Sequence, residues 1–143
     1  MRSAGSGRRR SRGFTLLELL VVLVIIGLLA GIVGPRYFAQ VGKSQVKAAR
    51  AQIVSLESAL EQYRIDTGHL PTTEQGLVAL RAVPQGETGW AGPYLQKDVP
   101  LDPWGNPYHY AVPGTHGGDC DLFSYGKDGR AGGDGENADI GNW

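Results

Sequence analysis

The sequence predicts an α+β chain: a long N-terminal helix, its first half suited to lipid, followed by a small antiparallel β-sheet head. Three observations lead there. Phe14 to Gly34 is an apolar run, and Val46 to Tyr63 keeps a helical period in a polar stretch. Beyond Pro71 the chain changes to short alternating segments between glycines and prolines. At 143 residues there is room for one modest domain plus an appendage.

Charge divides the chain in the same place. The formal net charge is +0, from 14 Lys+Arg and 14 Asp+Glu. Arg2, Arg8, Arg9, Arg10 and Arg12 all precede Phe14, whereas no acid does. An acidic body behind a basic tip argues against nucleic acid as the main partner. Basic residues ahead of an apolar run mark the cytoplasm-facing end of a membrane-inserted segment. Cys120 is the single cysteine, so no intrachain disulfide, zinc finger or CxxC pair can form.

The elements follow in order. Residues 2–13 are polar and basic, without a period. From Leu19 to Gly34 no charged or strongly polar side chain occurs. At about 1.5 Å per residue, Phe14 to Gly34 spans a hydrocarbon core of ~30 Å. A cleavable secretory signal would have a shorter apolar region and an A-x-A-like site, and Leu28, two positions before Ala30, fits that poorly. Pro35 ends the lipid-suited part, removes one helical hydrogen bond and invites a kink. Val46, Ala49, Ile53, Leu56, Leu60 and Tyr63 then step by three and four, a narrow apolar stripe that a head can cover. Gly68 and Pro71 stop the helix. Thr72 and Gln75 form a capping box for a second, short helix with Leu77 and Leu80 inward and Pro84 at its end. Tyr108, Tyr110 and Val112 alternate as a strand would, and Leu122 to Tyr125 reads as a second. Pro103 and Pro107 bracket a Trp-Gly-Asn turn that places Trp104 under the head as a core aromatic. After Gly126 the chain reads as an acidic, glycine-rich loop.

Glu18 is the anomaly. A carboxylate at membrane depth costs about 2.5–3.5 kcal/mol on insertion scales. Either it sits at the membrane edge and snorkels or protonates, or it awaits a positive partner. A cut between Gly13 and Phe14 would create one, the α-amino group of Phe14. That amine is four residues from Glu18 in its own chain and can also meet Glu18 of a staggered copy.

The basic leader, Gly13 and FTLLELLVVLVIIGLLAGIVGP together resemble the class III signal of type IV pilins and pseudopilins. In that family an aspartyl prepilin peptidase cuts after the glycine and methylates the new N-terminal phenylalanine. The resemblance implies cleavage between Gly13 and Phe14, an assembly role for Glu18, and loosening of the helix at Pro35 during assembly. YRIDTGHLPTTEQGLVAL, DPWGNPYHY and the closing DIGNW narrow the resemblance to the major pseudopilins, the G subunits, of type II secretion systems. It implies a pilin-like fold divided into a cleaved leader (1–13), a transmembrane and polymerisation segment (14–35) and a periplasmic head (36–143) that includes the amphipathic half of the helix. It also implies a bacterial inner-membrane protein with a single pass, cytoplasmic N-terminus and periplasmic head. The implied partners are copies of itself in a pseudopilus, minor pseudopilins, the prepilin peptidase, an inner-membrane platform with its ATPase, and membrane lipid. A type IV pilin of a surface pilus, used in adhesion or motility, is the alternative; the missing second cysteine argues against it.

Six acids between Asp119 and Asp139 stand among glycines. Flexible, oxygen-rich backbone suits Ca²⁺, although Arg130 two positions after Asp128 breaks the EF-hand spacing. By composition alone a solvated acidic loop and a calcium site remain equal readings. The G-subunit resemblance implies a structural Ca²⁺ here, with Asp128 and Asp139 as side-chain ligands and the Tyr125 carbonyl contributing. Asp134, Glu136 and Asn137 are further candidate donors. His69, His109 and His116 are scattered, and His109 is expected at the surface. No motif surrounds any serine, so no enzyme is expected, and Cys120 between two aspartates is not expected to be a reactive thiol. Gly13→Ala is expected to block maturation. Unchanged gel mobility beside an uncut control would show this, and normal processing would count against the leader assignment.

Overall fold

The structure, a computed structural model, describes residues 13–143; the leader expected over residues 1–12 lies outside the described residues. Helix α1 runs Leu16–Thr67. It starts two residues later than Phe14 because Thr15 caps it: the Glu18 N–H donates to Thr15 Oγ1 at 3.2 Å. Pro35 lies inside α1 without ending it, although it supplies no N–H for the carbonyl of Gly31. The chain divides into two compact units, one up to Phe38 and one from Ala39 to Trp143.

In the first unit every residue from Gly13 to Val33 is exposed. Apart from Thr15 and Glu18 the helix there is apolar on all sides, and none of its apolar window is buried among the described residues.

The second unit is built on the predicted stripe. Ala49, Ile53, Leu56, Leu60 and Tyr63 are at most 2 % exposed. They pack with Leu77, Leu80, Tyr108, Leu122 and Ile140 into one core. Burying an aliphatic or aromatic side chain of this size contributes about 1.5–3 kcal/mol. Two tyrosines add polar anchors: Tyr108 Oη donates to Gln52 Oε1 at 2.5 Å, and Tyr110 Oη to the Pro71 carbonyl at 2.8 Å. Burial pushes the Tyr108 phenol up to about 12, with Asp102 adding to the shift.

The capping box forms as predicted. Thr72 N–H donates to Gln75 Oε1 at 2.8 Å, and Gln75 N–H to Thr72 Oγ1 at 3.2 Å. The second α-helix does not form. A turn leads instead into a single 3₁₀ turn, Leu77–Leu80. Gly76, at φ 57°, breaks the right-handed path between them. Leu77 and Leu80 still face the core.

The sheet has three antiparallel strands, β1 (His109–Ala111), β2 (Asp121–Ser124) and β3 (Ile140–Gly141), in the order β1-β2-β3. His109 faces Phe123, and Ser124 faces Ile140. The strands shift by about one residue from their predicted limits, and β3 was not predicted. Two residues, one of them glycine, carry no alternation; β3 exists because β2 offers an unpaired edge.

Two buried carboxylates hold the loops. Asp102 Oδ1 accepts the N–H groups of Trp104 at 3.0 Å and Asn106 at 2.8 Å, closing the predicted turn. Trp104 packs against the core as expected. Asp121 accepts from Thr115 Oγ1 at 2.7 Å, Thr115 N–H at 2.9 Å, and both N–H and Nδ1 of His116. The His116 ring in turn stacks on Trp143 at 3.7 Å. The Thr115 hydroxyl and N–H outweigh burial and hold the Asp121 carboxyl well below the usual carboxylate range. Such a group stabilises the fold fully above the unfolded-state value near 3.9, and the contribution is lost as pH falls below it. Asp121→Asn should therefore lower the melting temperature at neutral pH. It should also flatten the loss of stability between about pH 4 and pH 2, measured by thermal unfolding across that range.

Candidate functional site

The predicted functional residues fall into two groups, one in each compact unit. In the first, Gly13 and Phe14 precede α1, and Phe14 is 79 % exposed. Among the described residues nothing lies within 4 Å of where a Cβ on Gly13 would stand. Glu18 lies in the first turn of α1, where its negative charge is favoured by the helix dipole. Among the described residues its carboxylate makes no ion pair. Thr15 belongs to this group and was not singled out from sequence. The T-x-x-E spacing of Thr15 and Glu18 was the available signal. Pro35 stands 17 residues further along α1.

The second group is the C-terminal loop. Tyr125 follows β2 directly, and its ring meets His109 at 4.6 Å. His109 is exposed, as predicted. Gly126 turns the chain at φ 74°. A Cβ there would stand 2.7 Å from the Glu136 carbonyl oxygen and 2.8 Å from that of Ala138. Only glycine lets the two ends of the loop close so tightly. Lys127 N–H donates to the Glu136 carbonyl at 2.8 Å, fixing that closure.

Within the loop the acids differ. Asp128 Oδ1 accepts the Arg130 N–H at 3.2 Å, an Asx turn. Both oxygens of Asp139 stand 3.0 Å from the Gly132 N. Asp134 precedes a 3₁₀ turn, Gly135–Asn137, and its carbonyl accepts the Asn137 N–H at 3.1 Å. Among the described residues Asp128, Asp134 and Asp139 make no ion pair with a cationic side chain. Glu136 is engaged elsewhere. Its Oε2 pairs with Lys127 Nζ at 2.8 Å, and its carboxylate end lies over Gly42 of α1, where a Cβ would overlap it.

No three His, Cys, Asp or Glu side chains among the described residues gather into a metal-holding group. What the loop offers is oxygen: the acids Asp128, Asp134 and Asp139, with the Glu136 and Ala138 carbonyls drawn up against Gly126. That donor set suits a hard cation with many oxygen ligands, and it does not suit Zn²⁺, which takes nitrogen and sulfur. Cys120 is half-buried, and burial, then the charges of Glu57, Asp119 and Asp121, push its thiol up. Like charge was predicted to disfavour the thiolate; burial is the larger cause.

Residues 36–143 match the family model described as type II secretion system protein G, and residues 8–34 match the prokaryotic N-terminal methylation motif. The chain is 44 % identical over 139 residues to the type II secretion system core protein G of Pseudomonas aeruginosa, covering 95 % of this chain and 97 % of that one. It is 45 % identical over 138 residues to the same-named protein of Vibrio cholerae, covering 94 % of this chain and 93 % of that one. The fold is similar to a crystal structure of the major pseudopilin from the type 2 secretion system of enterohaemorrhagic Escherichia coli. That match has a TM-score of 0.60 at 39 % identity and covers 71 % of this chain and 88 % of that one. The methylation motif thus covers the lipid-suited half of the helix and the protein G model covers the head that follows, and the chain belongs to the type II secretion system protein G family.

Proposed function

We propose that this chain is a major pseudopilin, a structural subunit that polymerises into the periplasmic pseudopilus of a type II secretion system and drives export of folded proteins across the outer membrane. The supporting observation is the mismatch between its two units. The head has a core of its own, while the helix from Phe14 to Val33 is apolar all round and wholly exposed. Such a helix is stable in lipid, or packed among copies of itself. Before assembly it crosses the inner membrane once, with its basic tip cytoplasmic and its acidic head periplasmic. Prepilin peptidase cuts between Gly13 and Phe14 and methylates the new amine. Minor pseudopilins, a membrane platform and its ATPase accompany growth of the filament. The role is scaffolding, not catalysis.

Glu18 gives that filament its register. Packed among apolar helices, its charge is tolerable beside the positive amine of Phe14 on a neighbouring copy. Glu18→Ala should insert in the membrane and be cut as the unaltered chain is, yet yield few filaments by electron microscopy of periplasmic material released by osmotic lysis. Filaments in normal number would refute the pairing.

The loop from Tyr125 to Asp139 holds a structural Ca²⁺. Asp128, Asp139 and the Tyr125 carbonyl are its first ligands, Asp134 and Asn137 supply further oxygens, and Glu136 instead ties the loop to α1 and Lys127. Calcium at 100 times its dissociation constant adds about 2.7 kcal/mol to stability, on the order of 10–20 °C in melting temperature for a domain of this size. Adding a chelator to the detergent-solubilised chain should remove that increment. A melting temperature indifferent to both calcium and chelator would dismiss the ion.

A further inference from the structure

The strand that leads into the loop ends in a buried relay of hydrogen bonds. Ser124 is 0 % exposed and Asp102 4 %. The Ser124 hydroxyl donates to Asp102 Oδ2 at 2.5 Å and accepts the Gly126 N–H at 3.0 Å. One donor and one acceptor site of the hydroxyl are thus both used. Asp102 is itself fixed through its other oxygen by the Trp104 and Asn106 N–H groups.

The bond to Gly126 has a geometric consequence. The Gly126 N–H and the Tyr125 C=O belong to one planar trans peptide, so they point in opposite directions. Holding the N–H on Ser124 turns the Tyr125 carbonyl away from Ser124. The next peptide is also held at both ends. Asn106 Nδ2 donates to the Gly126 carbonyl at 3.1 Å, and Lys127 N–H donates to the Glu136 carbonyl at 2.8 Å. Two successive peptide planes are therefore locked, with glycine at φ 74° between them.

We propose that Ser124, braced by Asp102, and Asn106 are positioning residues that aim the Tyr125 carbonyl for the calcium of the C-terminal loop. This rests on the calcium reading given above. It assigns a purpose to the DPWGNP turn beyond packing: the turn is the outer support of the ion site, although it lies about twenty residues before it in sequence. Outer partners of metal ligands set ligand direction, and their loss typically lowers metal affinity 10- to 100-fold.

Isothermal titration of Ca²⁺ into the detergent-solubilised full chain tests this. Ser124→Ala should raise the calcium dissociation constant about 10- to 100-fold. Asn106→Ala, at a half-buried turn position, should raise it in the same direction. Ile53→Val, a core truncation remote from the loop, should lower the melting temperature without moving the dissociation constant. Wild-type calcium affinity in either loop-support variant overturns the positioning role and leaves the calcium site standing. No calcium binding by the unaltered chain overturns both.

Discussion

A helix that cannot hide its own side chains is the constraint on which this molecule is organised. From Phe14 to Val33 every residue is exposed among the described residues. An α-helix can enter lipid because its backbone satisfies itself, and apolar side chains complete the match. Glu18, in the first turn of α1, is the one charged side chain in that stretch.

The rest of α1 solves a different problem with the same periodicity. Its stripe from Ala49 to Tyr63 gives the head one wall of a core, and a short 3₁₀ turn and a three-stranded sheet give the others. That core is small. The remaining order comes from anchored polar groups and stacked rings. Asp102 and Asp121 each gather donors from loops that would otherwise be free. Across the sheet, Tyr125, His109, Phe123, Trp143 and His116 touch ring to ring in one row.

How much of this was visible in the sequence depended on range. The lipid-suited run, the stripe and the Thr72–Gln75 box are local patterns, and each appears where its period or spacing put it. The short second helix failed because Gly76 takes a left-handed conformation that no period announces. Strand β3 and the Ser124–Asp102 bond depend on partners 16 and 22 residues away, and nothing in DIGNW or near Ser124 marks them. For the acidic loop, composition marked the region but could not separate Glu136, turned onto α1, from Asp128 and Asp139. Side-chain direction is decided by closure of the loop, which belongs to the fold and not to its letters.

Gly42 lies where that loop meets the rod. The Glu136 carboxylate occupies the space that any side chain at position 42 would need. The bare backbone there works as a seat, and its clearance is a single hydrogen atom. This seat lies seven residues past Pro35 in the sequence. A methyl group at position 42 would stand where the Glu136 carboxylate now lies, so the acid could rest against the helix here only by turning aside.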